Sequence, residues 1–328
     1  MGQLIKLQDY ISRYEQDIFT YPSRFVRLKK QQWDRVKADW ESEDGDESNL
    51  FLYQPVMNWG ETEEEKETSN LMKKFIGLLN PRYQKHTELE QQGALFPPKL
   101  EEPMEFSASF QNKPDHAEDL KRQFLDQLYR FQLKWASSTL AEMSSFHSKY
   151  YFDEHLKFFL QRFPDTFLVL YKPIFLLKNA PVEAEIILLT PTDVWCITFL
   201  EQEDSAVFIG SSERFWLKRS KMEEKKVLNP LLALNRTGRI VRNIFKMYEI
   251  ELPIHKLIIS RNGYIDYPSA PLDTEFLEAR NFKQWSASMR TQKSPLKHAQ
   301  LKGAKVLLQY CLTQSIRRPE WENHEENE

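Results

Sequence analysis

Two apolar runs separated by a short turn constrain the fold more than any other feature of this sequence. Residues 185–190 and 194–200 are rich in Ile, Leu, Val, Trp and Phe, and Pro191 stands between them. Runs of this length that are bounded by turn residues are typical of β-strands. The pattern predicts two adjacent strands, with Glu185 at the start of the first and with Thr198 and Leu200 on one face of the second.

The remaining patterns predict an α/β arrangement around a mixed sheet. Apolar residues at helical spacing predict helices over residues 3–40 (with a break at Pro22), 61–79, 115–145, 150–163, 230–248 and 299–312. Short apolar runs predict strands over residues 166–171, 174–177, 185–190, 194–200, 206–209, 215–217 and 254–260. Residues 41–67 are expected to form an exposed acidic loop, and the Pro-rich residues 80–115 a surface connector.

This order predicts three regions. Residues 1–145 form a mostly helical N-terminal region with the acidic loop and the connector. Residues 146–290 form the α/β domain, and residues 291–328 form a basic helix followed by a polar tail. The N-terminal region shows no metal-ligand spacing and no nucleophile motif, so we interpret it as a helical scaffold or a module that docks a protein partner.

Composition excludes several classes of protein. The chain has 328 residues but only nine glycines, and it contains no Gly-rich phosphate loop. Its seven histidines form no metal-binding pair with one another or with cysteine, so a zinc site is not expected. No apolar run approaches the roughly 18 residues of a membrane span, and no signal peptide is expected. We therefore expect a cytoplasmic protein with no membrane contact.

Charge is distributed unevenly, although the formal net charge is only −3. Residues 41–67 contain ten acids and one lysine, whereas residues 214–246 contain ten cations and two acids. Four of these cations follow helical spacing of 3, 3 and 4, which places them on one helix face. The predicted nucleic-acid contacts are Lys218, Arg219, Lys221, Arg236, Arg239, Arg242 and Lys246. The alternative is a solvated helix face that balances the acidic half; a second basic cluster lies within residues 290–305.

Several local signals follow one another between residues 183 and 260. Glu183-Ala184-Glu185 precedes Thr190-Pro191, the second strand follows, and Trp216 comes next. Asn229-Pro230 then opens a helix, and residues 256–260 form a last apolar strand. In the order of these signals, residues 147–285, a little under half of the chain, resemble the nuclease-related domain (NERD) family of the PD-(D/E)xK nuclease superfamily. The resemblance implies a restriction-endonuclease-like mixed sheet flanked by helices.

The resemblance also implies where a catalytic site would lie. The acid of the first strand falls on Glu185, but the second-strand acid falls on Thr198 and the catalytic lysine on Leu200. A hydroxyl is a poor substitute for a carboxylate, and leucine carries no charge, so Mg²⁺ would lose its ligands. We interpret these three positions as vestigial and expect neither catalysis nor a cofactor.

Three hypotheses follow. The first is a catalytically degenerate nuclease-related protein that binds DNA or RNA through its basic helix face. The second is a protein–protein scaffold, favoured if Trp33, Trp40, Phe51 or Trp59 is exposed near the acidic loop. The third is a metal-dependent nuclease with displaced ligands, for which Lys218 or Arg219 would supply the cation and Glu203 or Asp204 the acid, with Mg²⁺ bound.

Overall fold

The computed structural model describes residues 1–42, 106–110, 113–178, 180–201, 205–220 and 223–318. Its helices are α1 (Tyr21–Glu41), α2 (Ala117–Trp135), α3 (Glu154–Arg162), α4 (Pro230–Met247), α5 (Phe282–Thr291) and α6 (His298–Gln309). Short 3-10 turns cover Arg13–Glu15 and Ser148–Tyr151. The predicted helix over residues 61–79, the acidic loop and most of the connector lie outside the described residues.

Fourteen strands occur in the described ranges. The first seven are β1 (Gln3–Leu7), β2 (Glu142–Met143), β3 (Leu168–Tyr171), β4 (Ile174–Leu177), β5 (Ala180–Glu183), β6 (Ile186–Leu189) and β7 (Val194–Phe199). The others are β8 (Val207–Ile209), β9 (Phe215–Arg219), β10 (Glu224–Leu228), β11 (Ile254–Ile259), β12 (Tyr264–Asp266), β13 (Thr274–Leu277) and β14 (Ile316–Arg317).

A six-stranded mixed sheet in the order β1-β3-β6-β7-β11-β13 organises the molecule. The pairs β3–β6 and β6–β7 are antiparallel, whereas β1–β3, β7–β11 and β11–β13 are parallel. A second sheet has the order β10-β9-β8-β12. The predicted mixed α/β class is therefore confirmed, while the restriction-endonuclease-like topology stays a prediction.

Alternating side chains of the central strands supply two separate cores, one on each side of the six-stranded sheet. Ile187, Cys196 and Ile258 point to the side covered by α4 and α6, which we call the α4 core. Ile186, Ile197 and Leu257 point to the side covered by α3, which we call the α3 core. Because both faces are buried, the central strands are continuous apolar runs, as is typical of sheets covered by helices.

One sequence prediction is wrong for the N-terminal segment. Residues 3–18 were expected to be helical because Leu4, Leu7 and Ile11 follow helical spacing, but Gln3–Leu7 is an edge strand of the central sheet. A register shift between Leu4 and Lys6 turns Leu4 and Leu7 to the same α3 core although they are three residues apart. An irregular strand therefore carries a helix-like pattern. The helix after Pro22 is confirmed as α1, with the proline at its start.

Two other helices are shorter than predicted. Helix α2 ends at Trp135 rather than near residue 145, and the hydroxyls of Ser137 and Ser138 donate to the carbonyls of Leu133 and Lys134. Such local bonds satisfy the carbonyl groups at a helix end. Helix α3 begins at Glu154, where the Asp153 carboxylate accepts from the Leu156 N–H (2.9 Å).

Segments of all three predicted regions meet at the central sheet. Strand β1 pairs with β3, and the Gln300 side chain of α6 donates to the Leu189 carbonyl of β6 (3.0 Å). The boundaries at residues 145 and 290 stay predictions. Within the described part of the chain, no helix is both long enough and apolar enough to cross a bilayer.

Only part of the surface predicted to contact a protein partner lies within the described residues. The Trp33 ring lies 5.2 Å from that of Phe124, and the Trp40 indole N–H donates to the Pro114 carbonyl (2.7 Å). Both tryptophans are half-buried and pack against the α4 core. Phe51 and Trp59 lie outside the described residues, so the scaffold hypothesis stays a prediction.

Candidate nucleic-acid interface

The three vestigial positions lie on the side of the sheet that faces α4. Ile186 pairs with Ile197 between β6 and β7, and the next pair in this register is Glu185 with Thr198. The Thr198 hydroxyl donates a hydrogen bond to the Glu185 carboxylate. Leu200 is buried in the α4 core. Glu185, Thr198 and Leu200 thus share one face of the sheet, as the alternation of side chains along the second strand predicts.

Helix α4 holds the Glu185 end of β6 in place. The Glu185 N–H donates to the Thr237 hydroxyl (2.8 Å), which in turn donates to the Ala233 carbonyl one helical turn earlier (3.0 Å). Asn229 caps this helix, since its side-chain oxygen accepts from the Leu231 N–H (3.0 Å). The sequence signal for this arrangement is Asn-Pro at the helix start, which places proline in the first turn.

Burial raises the pKa of the Glu185 carboxyl above its usual value of 4.5. The hydrogen bond from Thr198 and the cations Lys172 and Arg236 oppose this rise, whereas nearby Glu183 adds to it. Desolvation therefore outweighs the favourable contacts, and the charged form is disfavoured.

Glu185→Gln is expected to make the protein more stable at neutral pH. Because the folded pKa lies above the unfolded value, the native state binds more protons, and stability falls as pH rises from 4.5 through the folded pKa. A glutamine can still accept from Thr198 but carries no charge. Urea unfolding at pH 4 and pH 8 should show that the gain is present at pH 8 and much smaller at pH 4.

Glu213→Gln is the matched control, because Glu213 is exposed and should give no such gain. Destabilisation by Glu185→Gln at pH 8 would contradict this account of the carboxylate.

The donor set around Glu185 does not fit Mg²⁺. This cation prefers six oxygen ligands in octahedral geometry, with at least one or two carboxylates. Here one carboxylate faces one hydroxyl, and among the described residues no three His, Cys, Asp or Glu side chains are grouped closely enough to hold a metal ion. We therefore derive no metal-dependent step from this face.

Lys256 is a buried cation on the same face that the sequence analysis did not single out. It lies on β11 opposite Cys196 and is 7% exposed. Its ammonium donates to the Asn235 side-chain oxygen (2.6 Å) and pairs with Asp273 (2.7 Å). The hydrogen bond from Lys256 lowers the pKa of the Asp273 carboxyl. The sequence signal for this site is the position of Lys256 in an apolar strand. It lies two residues before Ile258, so both side chains point to the same, inward side.

The Lys256 ammonium is thus bound by Asn235 and Asp273. Helix α4 contains one glycine, Gly238, and the Lys256 side chain packs close to it. A Cβ built on Gly238 would lie 3.4 Å from the Lys256 Cδ. The lysine thus joins α4 to β11 and to the segment before β13, which is a structural role.

The outer face of α4 carries an exposed row of cations, as the spacing predicts. Arg236, Arg239, Arg242 and Lys246 are all exposed. The opposite face of the helix is buried in the α4 core through Ile240, Val241, Ile244 and Phe245. Among the described residues, no carboxylate forms an ion pair with these four cations. We call these four residues the α4 cation row.

The structure separates the other predicted contacts from this row. Lys218 was expected at the surface but is 2% exposed, with its ammonium 3.9 Å from Glu223. It follows Trp216 by two residues and so points inward with it, which removes Lys218 from the candidate contacts. Arg219 is exposed but pairs with Glu224 (2.6 Å). Lys221 lies outside the described residues, as do Glu203 and Asp204.

One further correction concerns α4. The sequence pattern predicts a buried side of this helix formed by Leu232, Ile240, Val241, Ile244 and Phe245, but Leu232 is 48% exposed. It precedes Arg236 by four residues, so it lies at the start of the face that carries the α4 cation row.

Comparison with known proteins adds little. No protein-family model and no solved structure matches the chain. A curated RNA 2′,3′-cyclic phosphodiesterase from Geobacillus stearothermophilus is 60% identical over 43 residues. The similarity covers 13% of this chain and 14% of that protein, which is too little to show a family.

Proposed function

We propose that this protein binds nucleic acid through the α4 cation row and that its nuclease-like face has no catalytic role. The observation that carries the proposal is the row itself, in which four exposed cations share one face of a helix that is anchored in the core. The proposal includes the cytoplasmic location and the NERD-like fold expected from the sequence.

The geometry of the row suits a phosphate backbone. Its first and last members are ten residues apart, which corresponds to about 15 Å along a helix. Phosphate contacts by Lys and Arg release counterions, so they give affinity that does not depend on sequence but falls steeply with salt. Because none of the described carboxylates forms an ion pair with the row, its charge is available to such a ligand.

The vestigial face supports binding rather than cleavage. Phosphodiester hydrolysis needs a group that orients water and a cation that stabilises the developing charge. Glu185 lies opposite a hydroxyl, that of Thr198, rather than a second carboxylate, and Leu200 occupies the position of the lysine in the resembled family. The partial similarity to a protein named for an RNA phosphodiesterase is a minor support for nucleic acid as the ligand class.

A titration with a labelled oligonucleotide tests the proposal. Contacts to four phosphates of a single strand predict a slope of about −3 in log affinity against log salt, which is a loss of roughly 50-fold between about 50 mM and 200 mM salt. Neutralising the row in the variant Arg236→Gln/Arg239→Gln/Arg242→Gln/Lys246→Gln should remove most of the affinity at low salt and flatten this slope. Fluorescence anisotropy at several salt concentrations measures both quantities.

The matched control removes four exposed cations from a different helix. The variant Arg27→Gln/Lys30→Gln/Arg35→Gln/Lys37→Gln changes α1 and leaves the same net charge as the α4 variant. It should keep the wild-type slope. Absence of binding at low salt, salt-independent binding, or equal losses in the two variants would contradict the proposal. Mg²⁺-dependent cleavage of the oligonucleotide that is abolished by Glu185→Ala would instead identify a nuclease with displaced ligands.

A further inference from the structure

An exposed apolar patch adjoins the start of the α4 cation row. Phe215, Leu228 and Leu232 are 47%, 56% and 48% exposed, respectively, and belong to neither core. We call these three residues the outer patch. Scattered apolar residues at a surface are normal, but a contiguous group next to a charged row marks a site of interaction.

The backbone fixes the three side chains close together. Phe215 and Leu228 are directly opposite in the antiparallel pair β9–β10, where Cβ atoms lie about 5 Å apart. Trp216 and Lys218 of β9 are buried on the inner side, so Phe215 points outward. Leu232 lies in the first turn of α4, four residues after Leu228.

Asn229 holds this junction rigid. Its N–H donates to the Arg214 carbonyl (3.0 Å), and its side-chain amide donates to the Glu213 carbonyl (2.8 Å). The same side chain caps α4. Asn229 thus ties the start of β9, the end of β10 and the start of α4 together. The outer patch and the α4 cation row therefore keep a fixed position relative to each other.

The chemistry of the outer patch suits an unpaired base. Aromatic rings at a protein surface stack on the faces of exposed bases, and arginine next to such a ring adds a cation–π contribution. The Arg214 guanidinium lies 5.6 Å from the centre of the Phe215 ring. In a duplex the base faces are already stacked on one another, so a ring at the protein surface cannot reach them. A single strand can place a base on the ring and its phosphates along the row.

We infer that the ligand of this surface is single-stranded nucleic acid, with a base stacked on Phe215 and the following phosphates on the α4 cation row. This inference rests on the proposed function and specifies its ligand. Two further side chains of the same sheet face extend this surface: half-buried Leu217 continues its apolar part on β9, and exposed Lys226 adds a cation on β10.

The test compares a single-stranded 20-nucleotide oligonucleotide, the duplex of the same sequence, and a fully abasic single strand of the same length. Wild type is expected to bind the normal single strand most tightly. Loss of one stacked base corresponds to a drop of about 5- to 160-fold in affinity. Phe215→Ala should show this loss on the normal single strand and no change on the abasic strand, since that strand has no base to stack.

Three variants separate stacking from other effects. Phe215→Trp should keep the affinity because its ring also stacks, whereas Phe215→Leu should lose it although leucine is apolar. Phe152→Ala removes a different exposed phenylalanine, 74% accessible, and should bind like wild type. Circular dichroism of each variant confirms that it is folded.

The failures of the two proposals are distinguishable. If wild type binds no oligonucleotide at low salt, the proposed function fails and this inference with it. If wild type binds single strand and duplex equally, or if Phe215→Ala binds as wild type does, nucleic-acid binding stands and the stacking inference is overturned. It is also overturned if Phe215→Ala leaves binding unchanged but abolishes a dimer in solution, because the outer patch would then join two copies of the chain.

Discussion

Glu15→Leu is expected to lower the free energy of unfolding by about 3–5 kcal/mol, because it leaves a buried ammonium without its counter-ion. Lys6 lies on β1 with no exposed side-chain surface, and its Nζ is 2.5 Å from the Glu15 Oε1. The same ammonium donates to the Thr313 hydroxyl (2.7 Å), and that hydroxyl donates to the other Glu15 oxygen (3.0 Å). The three groups satisfy one another, so removing one partner exposes the full desolvation penalty of the charge.

The control for this prediction removes both charges. Lys6→Met/Glu15→Leu should recover most of the stability, because replacing a whole buried ion pair by apolar residues of similar volume is often neutral. Urea unfolding curves of wild type, the two single variants and the double variant give the coupling energy directly.

Glu15 also lines a cleft of about 460 Å³ together with Thr313, Phe19 and Lys305. A loss below about 1 kcal/mol in Glu15→Leu would mean that water from this cleft solvates Lys6, and it would contradict the assignment of a desolvated pair.

Glu201→Gln is expected to lower the free energy of unfolding at pH 7 by roughly 3 kcal/mol and to weaken the loss of stability in acid. Arg261 donates to this carboxylate through Nε (2.6 Å), Nη2 (2.7 Å) and its backbone N–H (3.0 Å). His155 Nε2 lies 2.8 Å from the same carboxylate. Burial alone would raise the pKa of Glu201, but the hydrogen bonds from His155 and Arg261 outweigh it and lower the pKa from 4.5 to about 2.

The direction of the pH effect follows from this lowered pKa. The unfolded state binds more protons between pH 2 and 4.5, so the stabilisation is complete above 4.5 and is lost as pH falls toward 2. Urea unfolding at pH 3, 4, 5 and 7 should show a shallower pH dependence for Glu201→Gln than for wild type. Glu251→Gln, which changes an exposed carboxylate, should keep the wild-type dependence. Parallel curves for wild type and Glu201→Gln would refute the assignment.

The sequence predicted the central strands because each of them is an apolar run bounded by turn residues. Residues 185–190 and 194–200 correspond closely to β6 and β7. The helix start predicted from Asn229-Pro230 was also correct, and so was the exposed cation face predicted from the spacing along α4. In each case a local pattern coincided with the tertiary environment.

The failures have a different physical origin. The helix-like spacing of Leu4 and Leu7 arises from a register shift, which depends on a partner strand far away in the chain. Lys218 belonged to a basic run, and charge alone does not reveal that its neighbour Trp216 is buried and fixes its direction. The partners of Lys256, Asn235 and Asp273, come from a helix and a loop, and only the folded chain brings them together.

The pairing of β1 with β3 has a consequence for synthesis of the protein. Gln3 lies opposite Leu168, so β1 finds its neighbour only after about 165 further residues have been translated. At about 5–20 residues per second this delay is roughly 10–30 s. During that interval Leu4, Ile5 and Leu7 have no sheet to join, which makes this nascent segment a natural client for chaperones that shield apolar segments.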